Sequence, residues 1–144
     1  NNPTARHTGL QDIRIPFYED DIAAIVEEQD DYHMFLACRE GDPVGSAFLS
    51  DIDFEGRKAE LGYWIVPEEQ GNGYATEAAQ LCLIHGFDEL GLHKIWARTV
   101  ADNEASKRIL EKLGFEQEGV LREHWYGFED YVDEYRFGLL ESER

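Results

Sequence analysis

The sequence predicts an α/β (α+β) domain in which helices flank a mixed, mostly antiparallel central sheet. Alternating apolar segments fill the stretch from Tyr32 to Val66, and two later stretches place apolar residues at helical spacing. With 144 residues and no internal repeat, the chain suits one hydrophobic core and one domain. We therefore expect the element order α-β-β-β-α-β-α-β-β over residues 1–144.

The first predicted element is a short helix. The stretch "YEDDIAAIVEEQ" places Ile22, Ile25 and Val26 on one helical face and acidic residues in the first turn. Next, "YHMFLACREGDPVGSAFLSDIDFEGRKAELGYWIV" predicts three antiparallel strands, with turns at "REGDP" and "FEGRK".

A glycine-rich corner, "EEQGNG", follows these strands and opens a helix that we expect to run to about Leu90. The first N–H groups of a helix have no internal partner and carry a partial positive charge. Gly71 and Gly73 lack Cβ atoms, so an anion can approach the backbone closely. The corner is therefore a candidate phosphate site. The alternative is a tight turn that needs glycine for a positive φ.

The rest of the chain predicts a strand at "KIWARTV", a helix at "ADNEASKRILEKLGF" and two closing strands at "FEQEGVLRE" and "YVDEYRFGLL". Asn103 is suited to cap the second helix and Gly114 to end it. One face of the last strand is expected to carry Tyr131, Tyr135, Phe137 and Leu139.

Charge is the unusual feature of the composition. Thirty-one acidic residues against thirteen basic ones give a net charge of −18. Such a surface repels nucleic acid and anionic membranes, so we expect neither as a partner. It indicates a salt-adapted, halophilic protein, with an ordinary acidic cytosolic protein as the alternative. Cys38 and Cys82 lack metal-type spacing and suggest buried thiols in a reducing cytoplasm.

Two segments resemble the signatures of the GCN5-related N-acetyltransferases (GNAT). "QGNGYA" is similar to the family's Gln/Arg-x-x-Gly-x-Gly/Ala loop, and "NEASKRILEKLGF" to its second signature. "ELGYWIVPEEQGNGYATEA" and "EGVLRE" resemble the ribosomal-protein N-terminal acetyltransferase branch. The resemblance runs from about Tyr32 to Leu140 and implies a sheet with splayed central strands. The family usually begins with a further strand and helix, for which we expect little room here, so the N-terminus is trimmed, missing or unusual.

The resemblance implies acetyl-coenzyme A as co-substrate and no metal. The loop would hold the pyrophosphate on its amides, the preceding strand would bond the pantetheine arm, and the second helix would contact the thiol end. An alternative role for Asn103 is a plain helix cap. The implied cofactor-binding residues are Ile65, Val66, Gln70, Gly71, Asn72, Gly73, Tyr74, Ala75, Thr76, Asn103 and Ser106.

Catalysis needs a base for the amine and an acid for the leaving thiolate. Glu60, just before the strand that lines the acceptor cleft, is the candidate base; a solvated carboxylate at a strand end is the alternative. Many relatives carry a tyrosine acid where this chain has Leu110, which leaves Ser106 as the nearest hydroxyl, or as a plain first-turn residue.

Other titratable side chains are weaker candidates. Tyr126 and Tyr131 are expected to pack the core, and His85, His93 and His124 to be structural or exposed. We expect His85 on the polar side of its helix.

The acceptor is predicted to be a primary amine, and most simply a protein N-terminal α-amino group. A small amine such as a polyamine or an aminoglycoside stays open, as does an acyl-coenzyme A binding domain without turnover. The sequence leaves the oligomeric state open, with a homodimer among the options.

The charge predicts that the protein needs salt for stability. A net charge of −18 makes the folded chain repel itself, and this repulsion weakens in molar salt because the screening length falls to about 3 Å. The thermal midpoint should therefore be higher in molar potassium chloride than in dilute buffer. A midpoint that does not rise with salt would remove the argument for a halophilic protein.

Overall fold

One mixed sheet forms the framework of the protein. The computed structural model describes residues 22–40, 42–65, 73–127 and 129–144, with residues 22–27, 39 and 65 described by their backbone alone. Within these ranges, seven strands lie in the order β1-β2-β3-β4-β5-β7-β6, and only the β4–β5 pair is parallel. The predicted fold class is confirmed. The elements are β1 (Ile22–Gln29), β2 (Tyr32–Arg39), β3 (Asp42–Asp53), β4 (Lys58–Ile65), α1 (Tyr74–Ile84) with a π-helical turn (His85–Glu89), β5 (Lys94–Val100), α2 (Glu104–Lys112), β6 (Glu116–Gly127), β7 (Asp130–Leu140) and a final 3₁₀ turn (Glu141–Glu143).

Helix α1 packs against β2, β3 and β4 through small buried side chains, including Ala78, Ala79 and Cys82. Its continuation lies close to the sheet at Gly86, where an added Cβ would lie 2.8 Å from Ile95 Cδ1 and 3.1 Å from Leu49 Cδ1. The small residues that mark this helix in the sequence therefore allow close helix–sheet packing.

The first element is a strand, and the prediction of a helix there was wrong. β1 forms an antiparallel hairpin with β2, in which Gln29 pairs with Tyr32. Ile22 pairs with Ala37 and Ile25 with Phe35, so a bulge places three residues of β1 opposite two of β2. This irregularity gives apolar residues a three-residue spacing that imitates a helix. Residues 18–21 of the predicted helix lie outside the described residues.

His85 is buried rather than on a polar helix face, so that expectation was also wrong. Only 6% of the residue is exposed, and its spacing from buried Leu81 and Cys82 places it on the core side. Its Nε2 lies 2.8 Å from Nδ1 of buried His33, and its Nδ1 lies 2.8 Å from a carboxylate oxygen of Glu89. Burial and the neighbouring His85 lower the pKa of His33. These contacts provide hydrogen-bond partners for the nitrogens of two buried imidazole rings.

The last two strands carry an exposed aromatic pair. Tyr126 and Tyr131 are opposite each other near the β6–β7 turn, and they are 64% and 58% exposed. The expectation that they pack the core was wrong because they lie at the end of the hairpin, where the rings contact each other at 5.0 Å between centroids. Farther along β7, Phe137 and Leu139 are buried as predicted.

The two cysteines differ in burial. Cys82 is fully buried, which raises the pKa of its thiol, whereas Cys38 is half-buried. In the part of the chain that the structure describes, no helix combines the length and the apolar character needed to cross a membrane.

Candidate functional site

The candidate site lies at a fork between β4 and β5. The two strands run parallel through three pairs, which end at Glu60 opposite Trp96. Beyond this pair, β4 continues to Ile65 beside β3 alone, and β5 continues to Val100 beside β7 alone. The splayed central strands implied by the resemblance are present. Their unpaired inner edges leave backbone groups that a ligand can reach.

A groove of about 380 Å³ fills this fork. Its walls come from the inner residues of β4 and β5, the start of α2 and side chains of β6 and β7. The polar side chains that line it are Glu60, Tyr63, Arg98, Thr99, Asn103, Ser106, Trp125 and Glu134. Three of the predicted site residues, Glu60, Asn103 and Ser106, are thus brought together on one groove.

Glu60 lies at the base of the fork and joins its two arms. Arg98 Nε donates to one carboxylate oxygen at 2.7 Å, and Arg98 Nη2 donates to the other at 2.9 Å. This bidentate contact raises the pKa of the Arg98 guanidinium. The Glu60 side chain is 13% exposed, so it is not the solvated carboxylate that the alternative interpretation assumed. Its role as a base stays a prediction.

A second carboxylate, Glu134, lines the groove and was missed by the sequence interpretation. It is 0% exposed, accepts a 2.6 Å hydrogen bond from Trp125 Nε1 and forms an ion pair with Arg136. Burial by itself would raise the pKa of Glu134, but the bonds from Arg136 and Trp125 outweigh it and lower the pKa. Glu134 and Arg136 are two positions apart in the otherwise largely apolar and aromatic "YVDEYRFGLL", and opposite charges at this spacing on one face of a strand are the signal for such an ion pair.

Arg98, which lines the groove, and Arg136, the partner of Glu134, contact one aromatic ring. Arg98 and Arg136 are directly opposite on β5 and β7, where two like charges would normally repel. Their guanidinium carbons lie 5.3 and 4.8 Å from the centre of the Trp96 ring. Each guanidinium also has a carboxylate partner, so the charges of the Glu60–Arg98 and Glu134–Arg136 pairs sum to zero.

Ser106 and Asn103 form the end of the groove at the start of α2. The side-chain oxygen of Asn103 accepts a hydrogen bond from the Ser106 N–H at 3.1 Å, so the predicted helix cap is confirmed. Ser106 Oγ lies 2.9 Å from the hydroxyl of Tyr63, which comes from β4 on the other side of the fork. Their predicted contacts with the cofactor stay predictions.

Tyr63 is the second groove residue that the sequence interpretation missed. It alternates with Ala59 and Leu61, which are buried, so its ring shares their face. A tyrosine hydroxyl on a buried face usually needs a hydrogen-bond partner. A tyrosine at this position of the strand is therefore the feature of the sequence that could have indicated a polar contact. Leu110, by contrast, is 0% exposed and belongs to the hydrophobic core.

The start of α1 retains the features of an anion site. Gly73 has φ 86°, and among the described residues no side chain caps the helix with a hydrogen bond. A helix start of this kind leaves the first-turn N–H groups, here those of Tyr74, Ala75 and Thr76, without a partner inside the helix. Val66, Gln70, Gly71 and Asn72 lie outside the described residues, and Ile65 is described only by its backbone.

Comparison with known proteins agrees with this geometry. Residues 7–116 match the family described as "Acetyltransferase (GNAT) domain". The uncharacterized N-acetyltransferase YoaA of Bacillus subtilis is 50% identical over 83 residues, which cover 58% of this chain and 47% of that protein. The provisionally named ribosomal N-acetyltransferase YdaF of the same species is 34% identical and covers 72% of this chain and 57% of its own length.

Spermidine acetyltransferases are similar as well. Spermidine N(1)-acetyltransferase of Escherichia coli is 35% identical, with coverage of 70% of this chain and 54% of that protein. A variant of the Vibrio cholerae spermidine N-acetyltransferase superposes with a TM-score of 0.74 at 29% identity, covering 80% of this chain and 69% of the other. The chain spans about half of the length of the curated relatives it matches. From the matched domain and the forked sheet, we conclude that the chain belongs to the GNAT acetyltransferase family.

Proposed function

We propose that the protein is an acetyl-coenzyme A dependent N-acetyltransferase that moves an acetyl group to a primary amine. The observation that carries this proposal is the fork itself, which ends at the Glu60–Trp96 pair and is lined by a hydroxyl pair. A thioester that lies in the fork can use unpaired strand amides, while an amine approaches along the groove. Preorganised N–H donors of this kind stabilise the charge that develops on a carbonyl oxygen.

Residues of α1, β4 and α2 would hold the co-substrate. The amides from Gly71 to Thr76 would bind its pyrophosphate, since the described part of this segment begins a helix without a side-chain cap. The backbone of Ile65 and Val66 would bond the pantetheine arm, with Gln70 completing the loop. Asn103 and Ser106 would contact the thiol end of the arm.

Two groove residues would handle the protons. Glu60 would accept the proton of the attacking amine, although an amine must compete with Arg98 for both carboxylate oxygens. Ser106 would donate toward the leaving sulfur, because its hydroxyl lies on the groove at the start of α2. Attack by the amine nitrogen forms the C–N bond and breaks the C–S bond.

The groove favours an acceptor that is already a free base near neutral pH. A protein α-amino group has a pKa of about 7.7–8.0, so roughly a tenth is unprotonated at pH 7. A lysine-type amine, at about 10.4, is unprotonated to less than one part in a thousand. The only two carboxylates among the groove residues that the structure describes are both paired with arginines. We therefore infer that the acceptor is a protein N-terminal α-amino group, as the name of YdaF also suggests.

A polyamine is the second candidate acceptor. It is supported by the names of the spermidine acetyltransferase relatives and by the net charge of −18, which attracts polycations. One structure of the Vibrio cholerae protein is dodecameric, and this chain would likewise form a homodimer or a larger assembly. A domain that binds acyl-coenzyme A without turnover is the third candidate.

A thiol-release assay in high salt separates these candidates. Acetyl-coenzyme A is mixed with an N-terminal peptide panel, the same peptides with blocked α-amines, a lysine peptide and spermidine. We expect thiol release with free α-amino peptides and a loss of at least tenfold when the α-amine is blocked. Turnover with spermidine alone would instead select the polyamine. Calorimetric binding of acetyl-coenzyme A without release of thiol from any amine would select the non-catalytic domain.

Gly73 provides a test of the phosphate site. In Gly73→Val, a branched side chain enters the proposed phosphate path, and affinity for acetyl-coenzyme A should fall at least tenfold, about 1.4 kcal/mol. Gly91→Val is the matched control, because Gly91 also has a positive φ (70°, against 86°) and open space around a Cβ. Both variants carry the strain of a side chain at positive φ. Equal calorimetric affinities in the two folded variants would rule out this placement of the pyrophosphate.

Glu60 and Arg98 provide a paired test of the base. If Glu60 accepts the amine proton, Glu60→Gln should lower kcat at pH 7 by 10²–10⁴-fold, which is typical of general base catalysis. Arg98→Gln breaks the same ion pair but leaves the carboxylate, so it should retain far more turnover. Equal losses of turnover and of thermal midpoint in the two variants would show that Glu60 closes the fork and does not accept the proton.

A further inference from the structure

We propose that Tyr63 and Ser106 form a two-hydroxyl relay that delivers a proton to the leaving sulfur. The proposal rests on the acetyl-transfer function above and adds Tyr63, a residue of β4, to the catalytic machinery. The two hydroxyl oxygens lie 2.9 Å apart across the fork, and both residues line the groove.

The contacts at Ser106 allow a relay that starts at Tyr63. Tyr63 Oη lies 2.9 Å from Ser106 Oγ and 3.2 Å from the Ser106 carbonyl oxygen. The carbonyl oxygen only accepts, and either hydroxyl can be the donor in the 2.9 Å contact, so the relay requires the arrangement in which the Tyr63 hydroxyl donates to Ser106 Oγ rather than to the carbonyl oxygen. When it donates to Ser106 Oγ, the Ser106 proton is free to point into the groove. The order of donors is then Tyr63, Ser106 and the sulfur.

Acid strength explains why Ser106 needs a second hydroxyl. An aliphatic hydroxyl is about as weak an acid as water, and far weaker than an ordinary thiol, whose pKa is about 8.5. Proton transfer from Ser106 alone would therefore leave an alkoxide and would be uphill by about seven pKa units. An ordinary phenol has a pKa of about 10, which reduces this gap to about 1.5 units before burial is considered.

The surroundings of Tyr63 keep the hydroxyl in its protonated form. Burial raises the pKa of the phenol, and the hydrogen bond with Ser106 offsets only part of this effect. Tyr63 therefore holds a proton throughout the neutral range. Tyr126 and Tyr131 cannot replace it in the same way, since neither lines the groove that the structure describes.

The proton balance of the step closes without any other reagent. As the amine forms the C–N bond, the C–S bond breaks and its electron pair stays on sulfur. Ser106 Oγ–H transfers its proton to the sulfur, and Tyr63 Oη–H transfers its proton to Ser106 Oγ. The proton that the amine releases then protonates the Tyr63 phenolate. The hydroxyl pair returns to its starting state after each turnover.

The first arm of the test is kinetic. Tyr63→Phe keeps the ring in its packing position and should lower kcat by 10²–10⁴-fold, with KM and the dissociation constant of acetyl-coenzyme A nearly unchanged. Ser106→Ala should lose a similar factor, and the double variant should be no slower than the slower single variant, because the two hydroxyls act as a unit. A solvent deuterium isotope effect on kcat should be present in the wild type and reduced in both variants.

A matched control separates the relay from general disturbance of a tyrosine. Tyr32→Phe removes a partly buried hydroxyl of the same sheet, 3.6 Å from Met34 Sδ and outside the groove, and should retain wild-type kcat. Wild-type kcat in Tyr63→Phe would overturn the relay but leave the acetyltransferase function standing. A wild-type protein that turns over no amine in the panel would overturn both.

The second arm does not depend on turnover. Tyrosine labelled with ¹³C at Cζ gives one resonance for each of the seven tyrosines, and the resonance lost in Tyr63→Phe assigns Tyr63. We expect Ser106→Ala to shift this resonance, and coenzyme A to shift it more in the wild type than in Ser106→Ala. A Tyr63 resonance that is identical in the wild type and Ser106→Ala, with or without coenzyme A, would overturn the relay.

Discussion

The parting of β4 from β5 is the constraint on which the rest of the site depends. The strands share only three parallel pairs, yet each continues along its outer neighbour. Backbone groups left unpaired at a sheet interior need other partners. The loss of strand pairing at the fork weakens the sheet locally. A bound co-substrate can supply the missing partners, so the fork also defines where a ligand lies. The side chains around the fork then determine what chemistry occurs there.

Charge in the groove differs from charge on the rest of the molecule. The chain carries −18 overall, but Glu60 and Glu134 are each bound to an arginine, and both arginines lie over Trp96. Buried and partly buried ions need such partners because desolvation otherwise disfavours them. The two carboxylates that line the groove are therefore neutralised by their arginine partners. The net negative charge of the chain attracts cations to the surface over a long range. Recognition of an amine inside the groove depends instead on the paired charges there.

Most of the fold could be predicted from the sequence because its signals are local. Regular alternation identified β2 to β5, and helical spacing with a capping asparagine identified α2. The failures are non-local: the bulged β1 imitates a helix, and His85 is buried because His33, 52 residues away in sequence, provides a partner. For the same reason Asn103 and Ser106 could be selected from their motif, whereas Tyr63 and Glu134 acquire their roles only from partners on other elements.

The hydroxyl pair also explains how a leucine can occupy position 110. In many relatives, by the resemblance above, a tyrosine at this place in the second helix supplies the acid. Here Leu110 is fully buried in the core, where a tyrosine would need space that a close-packed interior does not have. The simple exchange Leu110→Tyr is therefore a poor route to restoring an acid. A hydroxyl from β4, facing Ser106 across the fork, can serve the same sulfur while α2 keeps an apolar contact with the sheet. Under this arrangement, core packing and proton delivery are assigned to different elements, and each can be altered without the other.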